Sequence, residues 1–155
     1  MDYQKEVETF RKQSNKYSTY VLPDQTKIKV GEEMIKCPEI IFNPSLANKQ
    51  FPGVHQVVFD CLSKCENEVR KEMIQNVILS GGNTMHENYV NRLVKELSHL
   101  VPTSAKVRVQ GSTDRNFLNW MGGAVVSSLT TFQSMWITRA DYDENGPSIV
   151  HRKCL

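Results

Sequence analysis

The chain has 155 residues and a formal net charge of only +2, from 19 basic and 17 acidic residues spread along its length. This length can bury one core, and the balanced charge forms no basic stripe of the kind that nucleic-acid binding uses. No apolar run approaches the ~20 residues of a membrane span, and the N-terminus has no apolar signal-peptide segment, so we expect no membrane insertion.

The four cysteines and four histidines do not have the spacing of a metal site. Cys61 and Cys65 lie four residues apart on one face of a predicted helix. This spacing favours a pair of free thiols in the core over a pair of metal ligands. A reduced, cytoplasmic protein without a bound metal is therefore the simplest interpretation.

The first third of the chain predicts a charged helix followed by a hairpin. The helix covers residues 2–12, and Ser14-Asn15 ends it. Residues 17–21 and 27–30 alternate as short strands do, and Pro23-Asp24-Gln25 between them is typical of a turn. We expect one face of this hairpin to be exposed to water and the other to be buried.

An apolar segment and a polar loop follow the hairpin. Residues 32–42 are rich in apolar side chains, and Pro38 is expected to interrupt any long helix there. Residues 43–53 have the composition of a loop that carries two apolar side chains, Leu46 and Phe51. These side chains either fold back onto the protein or are offered to a partner.

Residues 54–62 and 66–73 predict two helices, the first of which has an apolar face. That face is expected to be buried and consists of Val54, Val57, Val58, Cys61 and Leu62. The run Val77-Ile78-Leu79 predicts a buried strand. A turn through Ser80-Gly81-Gly82 then leads to a helix for which Asn88 is the candidate N-cap. Its apolar stripe has the 3.6-residue period and comprises Tyr89, Val90, Leu93, Val94, Leu97 and Leu100.

The order strand, double glycine, polar pair and helix is suited to holding a phosphate group. Glycines allow the backbone to approach an anion closely, and N–H groups in the turn and at the helix start can bind it. The alternative, a tight strand-to-helix turn without a ligand, is equally compatible with residues 77–88 alone.

The last third of the chain predicts a strand at residues 106–109, a polar loop at 111–116 and a helix at 117–129. The small residues Gly122, Gly123 and Ala124 would allow that helix to pack closely against a neighbour. Together these elements indicate an α/β fold. No complete catalytic set and no Gly-x-x-x-x-Gly-Lys-Ser/Thr motif is present.

Several motifs resemble the actin family. Residues 80–85 (Ser-Gly-Gly-Asn-Thr-Met) look like the second phosphate-side loop of actins, and residues 120–123 (Trp-Met-Gly-Gly) are similar to their Trp-Ile-Gly-Gly helix. Residues 144–154 (Glu-Asn-Gly-Pro-Ser-Ile-Val-His-Arg-Lys-Cys) are the most specific match, since distant actin-related proteins usually blur this run. The resemblance extends over nearly the whole chain but covers only the C-terminal two-fifths or so of an actin.

The resemblance implies the fold that actins share with Hsp70 and sugar kinases, a two-domain ATPase with nucleotide in the cleft. Residues 1–46 would form part of subdomain four. Residues 47–116 would belong to subdomain three, and residues 117–155 to the C-terminal part of subdomain one. The strand at 77–79 would lack its upstream neighbours in an isolated chain, which we therefore expect to be poorly soluble or loosely packed.

The resemblance also implies a nucleotide site for ATP or ADP with Mg²⁺ or Ca²⁺. The matching residues are Gly81, Gly82, Asn83, Met85, His86 and Asn116. Two of them depart from the family pattern, because actins usually have a tyrosine at His86 and a lysine at Asn116. The first phosphate loop and the residues that position water and metal would lie upstream of Met1, so we expect no ATP hydrolysis by these 155 residues alone.

Two partner surfaces follow from the same resemblance. The loop with Leu46 and Phe51 looks like the hydrophobic plug that contacts neighbouring subunits in a filament. The groove between subdomains one and three, where actin-binding proteins lay an amphipathic helix, matches Val126, Leu129, Thr131 and Met135. The alternative for these four residues is internal packing.

The resemblance therefore implies an actin-like cytoskeletal protein of the cytoplasm that binds ATP and forms filaments, with other actin subunits and actin-binding proteins as partners. One alternative is a truncated interaction module that binds actin-binding proteins without nucleotide. Another is a small phosphate-binding enzyme unrelated to filaments, which the match at residues 144–154 disfavours.

Overall fold

The computed structural model describes residues 3–12 and 17–154 as a mixed fold of helices and short strands. Its α-helices are α1 (Tyr3–Lys12), α2 (Glu33–Phe42), α3 (Val54–Ser63), α4 (Asn67–Ile74), α5 (Tyr89–Leu100), α6 (Leu118–Ser128), α7 (Arg139–Asn145) and α8 (Val150–Lys153). Its strands are β1 (Ser18–Val21), β2 (Lys27–Val30), β3 (Val77–Ile78) and β4 (Val109–Gln110). Short 3-10 helices occupy Pro44–Ala47, Gly82–Met85, Thr130–Met135 and Gly146–Ile149. The predicted helix start at Asp2 and the predicted break at Ser14-Asn15 lie outside the described residues.

The predicted hairpin is present, but its predicted buried face is wrong. β1 and β2 pair antiparallel, and the backbone N–H of Thr26 donates to Asp24 Oδ1 at 2.9 Å in the turn. Every residue of the two strands is exposed except Val30, which is half-buried. Tyr20 lies opposite Ile28 in the register, so these two apolar side chains form a cross-strand pair at the surface.

Pro38 does not interrupt the helix around it, contrary to the sequence-based expectation. α2 runs from Glu33 to Phe42 with Pro38 inside. A proline in a helix interior removes one backbone hydrogen bond and costs about 3 kcal/mol. The residues that follow it offset this cost, because Glu39 pairs with Arg92 of α5 and Phe42 is buried in the core.

The core lies between α2, α3, α4, α5 and the two parallel strands. The predicted apolar stripe of α5 is confirmed, since Leu97 is 0% exposed and Leu93 is 1% exposed. The buried cluster comprises Phe42, Leu62, Ile74, Leu79, Tyr89, Leu93, Leu97 and Val109. α3 approaches α2 very closely at Gly53, where a Cβ would lie 2.0 Å from the carbonyl oxygen of Phe42, so this position requires glycine.

The strand before the glycine turn is shorter and more exposed than predicted. β3 and β4 form a two-stranded parallel sheet with Val77 opposite Val109. Leu79 is buried, but the side chain of Ile78 is 70% exposed, because alternate residues of a strand point to opposite faces and one face here is bare. The predicted strand at residues 106–109 is displaced toward the C-terminus and contains only Val109 and Gln110.

The predicted apolar face of α3 is only partly buried. Leu62 is buried, whereas Val57 is 44% exposed and Cys61 is exposed. The expected core pair of thiols is therefore wrong. Cys65 is half-buried and its thiol donates to the Cys61 carbonyl oxygen at 3.5 Å, while all four cysteines are free.

The C-terminal segment packs mainly on itself. None of the eleven residues of α6 is buried, and Trp120 is 75% exposed. α7 begins with a capping box in which Thr138 and Asp141 bond reciprocally, and Lys153 of α8 donates to Asp141 at 2.8 Å. Ile149, at 1% exposure, anchors these short helices to one another.

Acid should loosen the attachment of α1 to α2. Hydrogen bonds from Lys36 and Arg11 lower the pKa of Glu32 from 4.5 to about 2. A lowered carboxyl pKa contributes stability that is complete above pH 4.5 and is lost as the pH falls toward about 2. We expect a carboxyl ¹³C titration of Glu32 to give a midpoint near 2 and Lys36→Met to raise it. A midpoint near 4.5 in the unmodified chain would contradict this attachment.

Candidate functional site

The candidate site is the turn that joins β3 to the 3-10 helix Gly82–Met85. Leu79 continues the strand pairing through its N–H, which donates to the Gln110 carbonyl oxygen at 2.8 Å. Gly81 then has φ +94° and ψ 154°, a conformation that side-chain-bearing residues rarely adopt. The double glycine therefore allows the chain to leave the strand and enter the 3-10 helix at once.

The turn leaves backbone donors available at an open surface. Among the described residues, neither the N–H of Gly82 nor the N–H of Asn83 donates a hydrogen bond. A Cβ added at Gly81 or at Gly82 would meet nothing within 4 Å, so the space beside the turn is not filled by the protein. Two adjacent free N–H groups next to open space can accept an anion, as backbone nests do.

Of the side chains that follow the glycines, Asn83, Met85 and His86 are exposed and Thr84 is half-buried. Met85 is 39% exposed, and His86 ends the 3-10 helix and lines a cavity of about 310 Å³ between α2 and the start of α5. Apolar and charged groups share its wall, among them Met34, Pro38, Phe42, Glu39 and Arg92. The predicted helix start at Asn88 is confirmed, but Asn88 adopts φ 60° and its side chain does not cap the helix.

The structure brings the predicted residues of the 81–86 turn and the chain at Asn116 together. The N–H of Gly81 donates to the carbonyl oxygen of Arg115 at 2.8 Å, so Asn116 is only one residue from a direct contact with the turn. Ser80 Oγ donates to Asn119 Oδ1 at 2.8 Å, which ties the turn to the start of α6. Residues more than thirty positions apart in sequence thus form one site.

Sequence reasoning missed Arg115. Its guanidinium donates to the carbonyl oxygen of Thr84 and to Thr84 Oγ1, at distances of 2.8 to 3.2 Å. The available signal was weak: one arginine in the polar loop that follows the predicted strand at residues 106–109. No local pattern assigns such a residue to a turn thirty-one positions upstream.

The acidic residues near the turn do not gather into a metal site. Glu87 and Asp114 are both exposed. Among residues 3–12 and 17–154, no three His, Cys, Asp or Glu side chains form a group that could hold a metal ion. The described residues therefore place no carboxylate cluster of metal-binding type beside the turn.

The residues predicted to contact partners are exposed. Leu46 lies in the 3-10 helix Pro44–Ala47 and is 42% exposed, and Phe51 is 59% exposed, so neither folds back onto the core. The residues predicted for the groove lie along one continuous stretch from α6 into the 3-10 helix Thr130–Met135. Their exposures are 41% for Val126, 51% for Leu129 and 49% for Met135, and Thr131 is exposed as well. Their roles remain predictions.

Comparison with known protein families gives a match over almost the entire chain. The matching family is described as Actin, and the match covers residues 2–155. None of the described helices has the length and apolar character needed to cross a membrane. Because the match includes the glycine turn, the loop with Leu46 and Phe51, and α6, it agrees with the resemblance seen in the sequence motifs: the chain belongs to the actin family.

Proposed function

We propose that the chain acts as the C-terminal part of an actin-like, ATP-binding subunit of cytoskeletal filaments in the cytoplasm. The observation that carries this proposal is the open turn at Gly81 and Gly82, with free N–H groups on Gly82 and Asn83. Membership of the actin family makes a nucleotide phosphate the natural anion for this turn. Bound ATP would supply a phosphoanhydride for hydrolysis, and these N–H groups would hold its phosphates.

We propose that nucleotide binding and turnover require residues in addition to those of this chain. Phosphoryl transfer depends on groups that surround the phosphate from several sides together with a divalent cation, Mg²⁺ or Ca²⁺. The described residues contribute one such side, with Met85, His86 and Asn116 near the turn. We therefore propose that this chain alone does not hydrolyse ATP and that an N-terminal actin half completes the cleft.

The exposed surface of the chain supports the need for such a partner half. The chain exposes 12004 Å², whereas monomeric proteins of its mass expose only about 8,000 Å². Large apolar side chains are exposed on or next to α6, where Trp120 is 75% exposed, Val125 62% and Phe117 59%. Large apolar side chains exposed along one helix are typical of a surface that another part of a protein covers.

Calorimetry of ATP with Mg²⁺ tests the proposal. We expect no detectable binding by the chain alone and measurable binding when it is coexpressed with an actin half that ends where the present match begins. Gly82→Ala is the informative variant, since its Cβ enters open space and its backbone φ is ordinary. It should leave unfolding unchanged while weakening ATP binding by at least tenfold. Absence of binding in the coexpressed complex would overturn the proposal.

A second candidate function is an interaction module without nucleotide. Its support is the exposure of Val126, Leu129 and Met135 along one continuous stretch, which suits an amphipathic helix of an actin-binding protein. Titration of such a helical peptide, followed by the fluorescence of the nearby Trp136, tests it. Saturable binding that Gly82→Ala does not alter would favour this function, and the absence of any peptide binding would argue against it.

A further inference from the structure

We propose that Arg115 is a positioning residue that clasps both ends of the glycine turn and so keeps the N–H groups of Gly82 and Asn83 available to a phosphate. This inference rests on the proposed function, because it assigns a device to the same site. It concerns the shape of the turn, however, and the shape can be measured without any nucleotide.

The clasp is built from the backbone and the side chain of one residue. The carbonyl oxygen of Arg115 accepts from the N–H of Gly81 at 2.8 Å, at the start of the turn. Its Nε and Nη2 donate to the carbonyl oxygen of Thr84 at 3.2 and 2.8 Å, near the end of the turn. Arg115 therefore forms hydrogen bonds with both the start and the end of the turn.

The hydroxyl of Thr84 closes these contacts into a ring. Thr84 Oγ1 accepts from Arg115 Nε at 3.1 Å and donates to the carbonyl oxygen of Gly81 at 2.8 Å. The N–H of Gly81 donates to Arg115 and the N–H of Thr84 donates to the Gly81 carbonyl oxygen at 3.1 Å. The unbonded N–H groups of residues 81–84 are therefore those of Gly82 and Asn83.

The geometry requires an arginine rather than any cation. Arg115 Nη1 also donates to the Ser112 carbonyl oxygen at 2.8 Å, so three nitrogens of the planar fork are directed at fixed carbonyl and hydroxyl groups. A lysine cannot reproduce this fork, because its ammonium group is a compact point charge and not a planar set of donors. The half-buried guanidinium also places a positive charge beside the turn, which favours an anion there without contacting it.

Arg115→Lys removes the fork and keeps the charge, and Arg70→Lys is its matched control. Arg70 donates to the carbonyl oxygens of Leu62, Ser63 and Cys65 at 2.7 to 2.9 Å, the same kind of clasp at a distant loop. Hydrogen exchange by mass spectrometry on the full chain should show residues 80–85 exchanging at least tenfold faster in Arg115→Lys, relative to α5. Arg70→Lys should leave this segment unchanged. Unchanged exchange in Arg115→Lys, or equal acceleration in both variants, would overturn the clasp.

The ring has a second test at its hydroxyl. Thr84→Val keeps the volume of the side chain and loses both hydroxyl bonds, whereas Thr84→Ser retains the hydroxyl. We expect Thr84→Val to accelerate hydrogen exchange of residues 80–85. The separate variant Thr84→Ser should exchange at the rate of the unsubstituted chain. Similar exchange rates in the two variants would contradict a role for the Thr84 hydroxyl and therefore the closed ring of hydrogen bonds.

Ligand affinity separates positioning from a general loosening of the fold. In the coexpressed complex, Arg115→Lys should weaken ATP binding at least tenfold and leave adenosine binding unchanged, since adenosine has no phosphate. Equal losses for the two ligands would overturn a phosphate-specific role. If the unsubstituted complex bound neither ligand, the proposed function would fail, and the exchange measurements would still decide whether Arg115 shapes the turn.

Discussion

Replacing Arg92 with methionine should destabilise the fold by about 3–5 kcal/mol, the range for breaking a buried ion pair by removing one partner. Arg92 on α5 and Glu39 on α2 lie fifty-three positions apart in sequence. Methionine retains the apolar stem and removes the charge, so the loss measures the unpaired carboxylate left behind more than lost packing.

The contacts of Arg92 explain why the effect should be large. Its two terminal nitrogens each donate to a different oxygen of Glu39 at 3.0 Å, and its Nε donates to Glu96 at 2.7 Å. The guanidinium carbon lies 5.0 Å from the ring centre of Phe42, within the range of a cation–π interaction. The side chains of Arg92 and Glu39 are only 16% and 10% exposed, so water screens the pair weakly.

Arg139→Met is the matched control for Arg92→Met. Arg139 faces Asp143 at 3.7 Å with 95% of its side chain exposed, and exposed pairs contribute at most about 1 kcal/mol. Urea unfolding should be followed by far-ultraviolet circular dichroism, because Trp120 and Trp136 are both exposed and report poorly on the core. Adding Glu39→Gln to Arg92→Met should recover much of the loss. An effect of Arg92→Met no larger than that of the control would contradict a stabilising role for the pair.

Local periodicity predicted those parts of the fold that local forces decide. The stripe of α5 follows from the 3.6-residue period, and the hairpin follows from alternation around Pro23-Asp24-Gln25. The error at Pro38 has a tertiary cause, since contacts of Glu39 and Phe42 with α5 hold a helix that the local sequence disfavours. Propensity is a weak prior wherever such contacts exist.

The candidate site divides in the same way. Gly81 and Gly82 could be found from the sequence, because a turn that needs positive φ and open space selects glycine. Arg115 could not, since its role depends on which loop the parallel pairing of β3 and β4 brings against Thr84. The exposure of Ile78 was missed for a related reason: an apolar sequence indicates a surface that is to be covered, without indicating whether this chain covers it.

Leu97→Ala and Leu129→Ala should differ in their effects by about 2–5 kcal/mol, although the chemical change is identical. Leu97 is 0% exposed within the core cluster, where truncation loses transfer free energy and leaves a cavity. Leu129, which follows α6, is 51% exposed, so its truncation should change the free energy of unfolding by less than about 0.5 kcal/mol.

The difference between Leu97→Ala and Leu129→Ala also shows which part of the isolated chain is loosely packed, as we expect some of it to be. A large loss for Leu97→Ala together with a negligible one for Leu129→Ala would restrict the loosely packed part to the segment around α6 and leave the core around α5 well packed. Equal and small losses would mean that the core itself is loose and would contradict the close packing of Leu93 and Leu97. In the coexpressed complex we expect Leu129→Ala to remain mild, because this side chain belongs to the groove predicted to stay open for partners, whereas Trp120→Ala should become costly once the apolar face of α6 is covered.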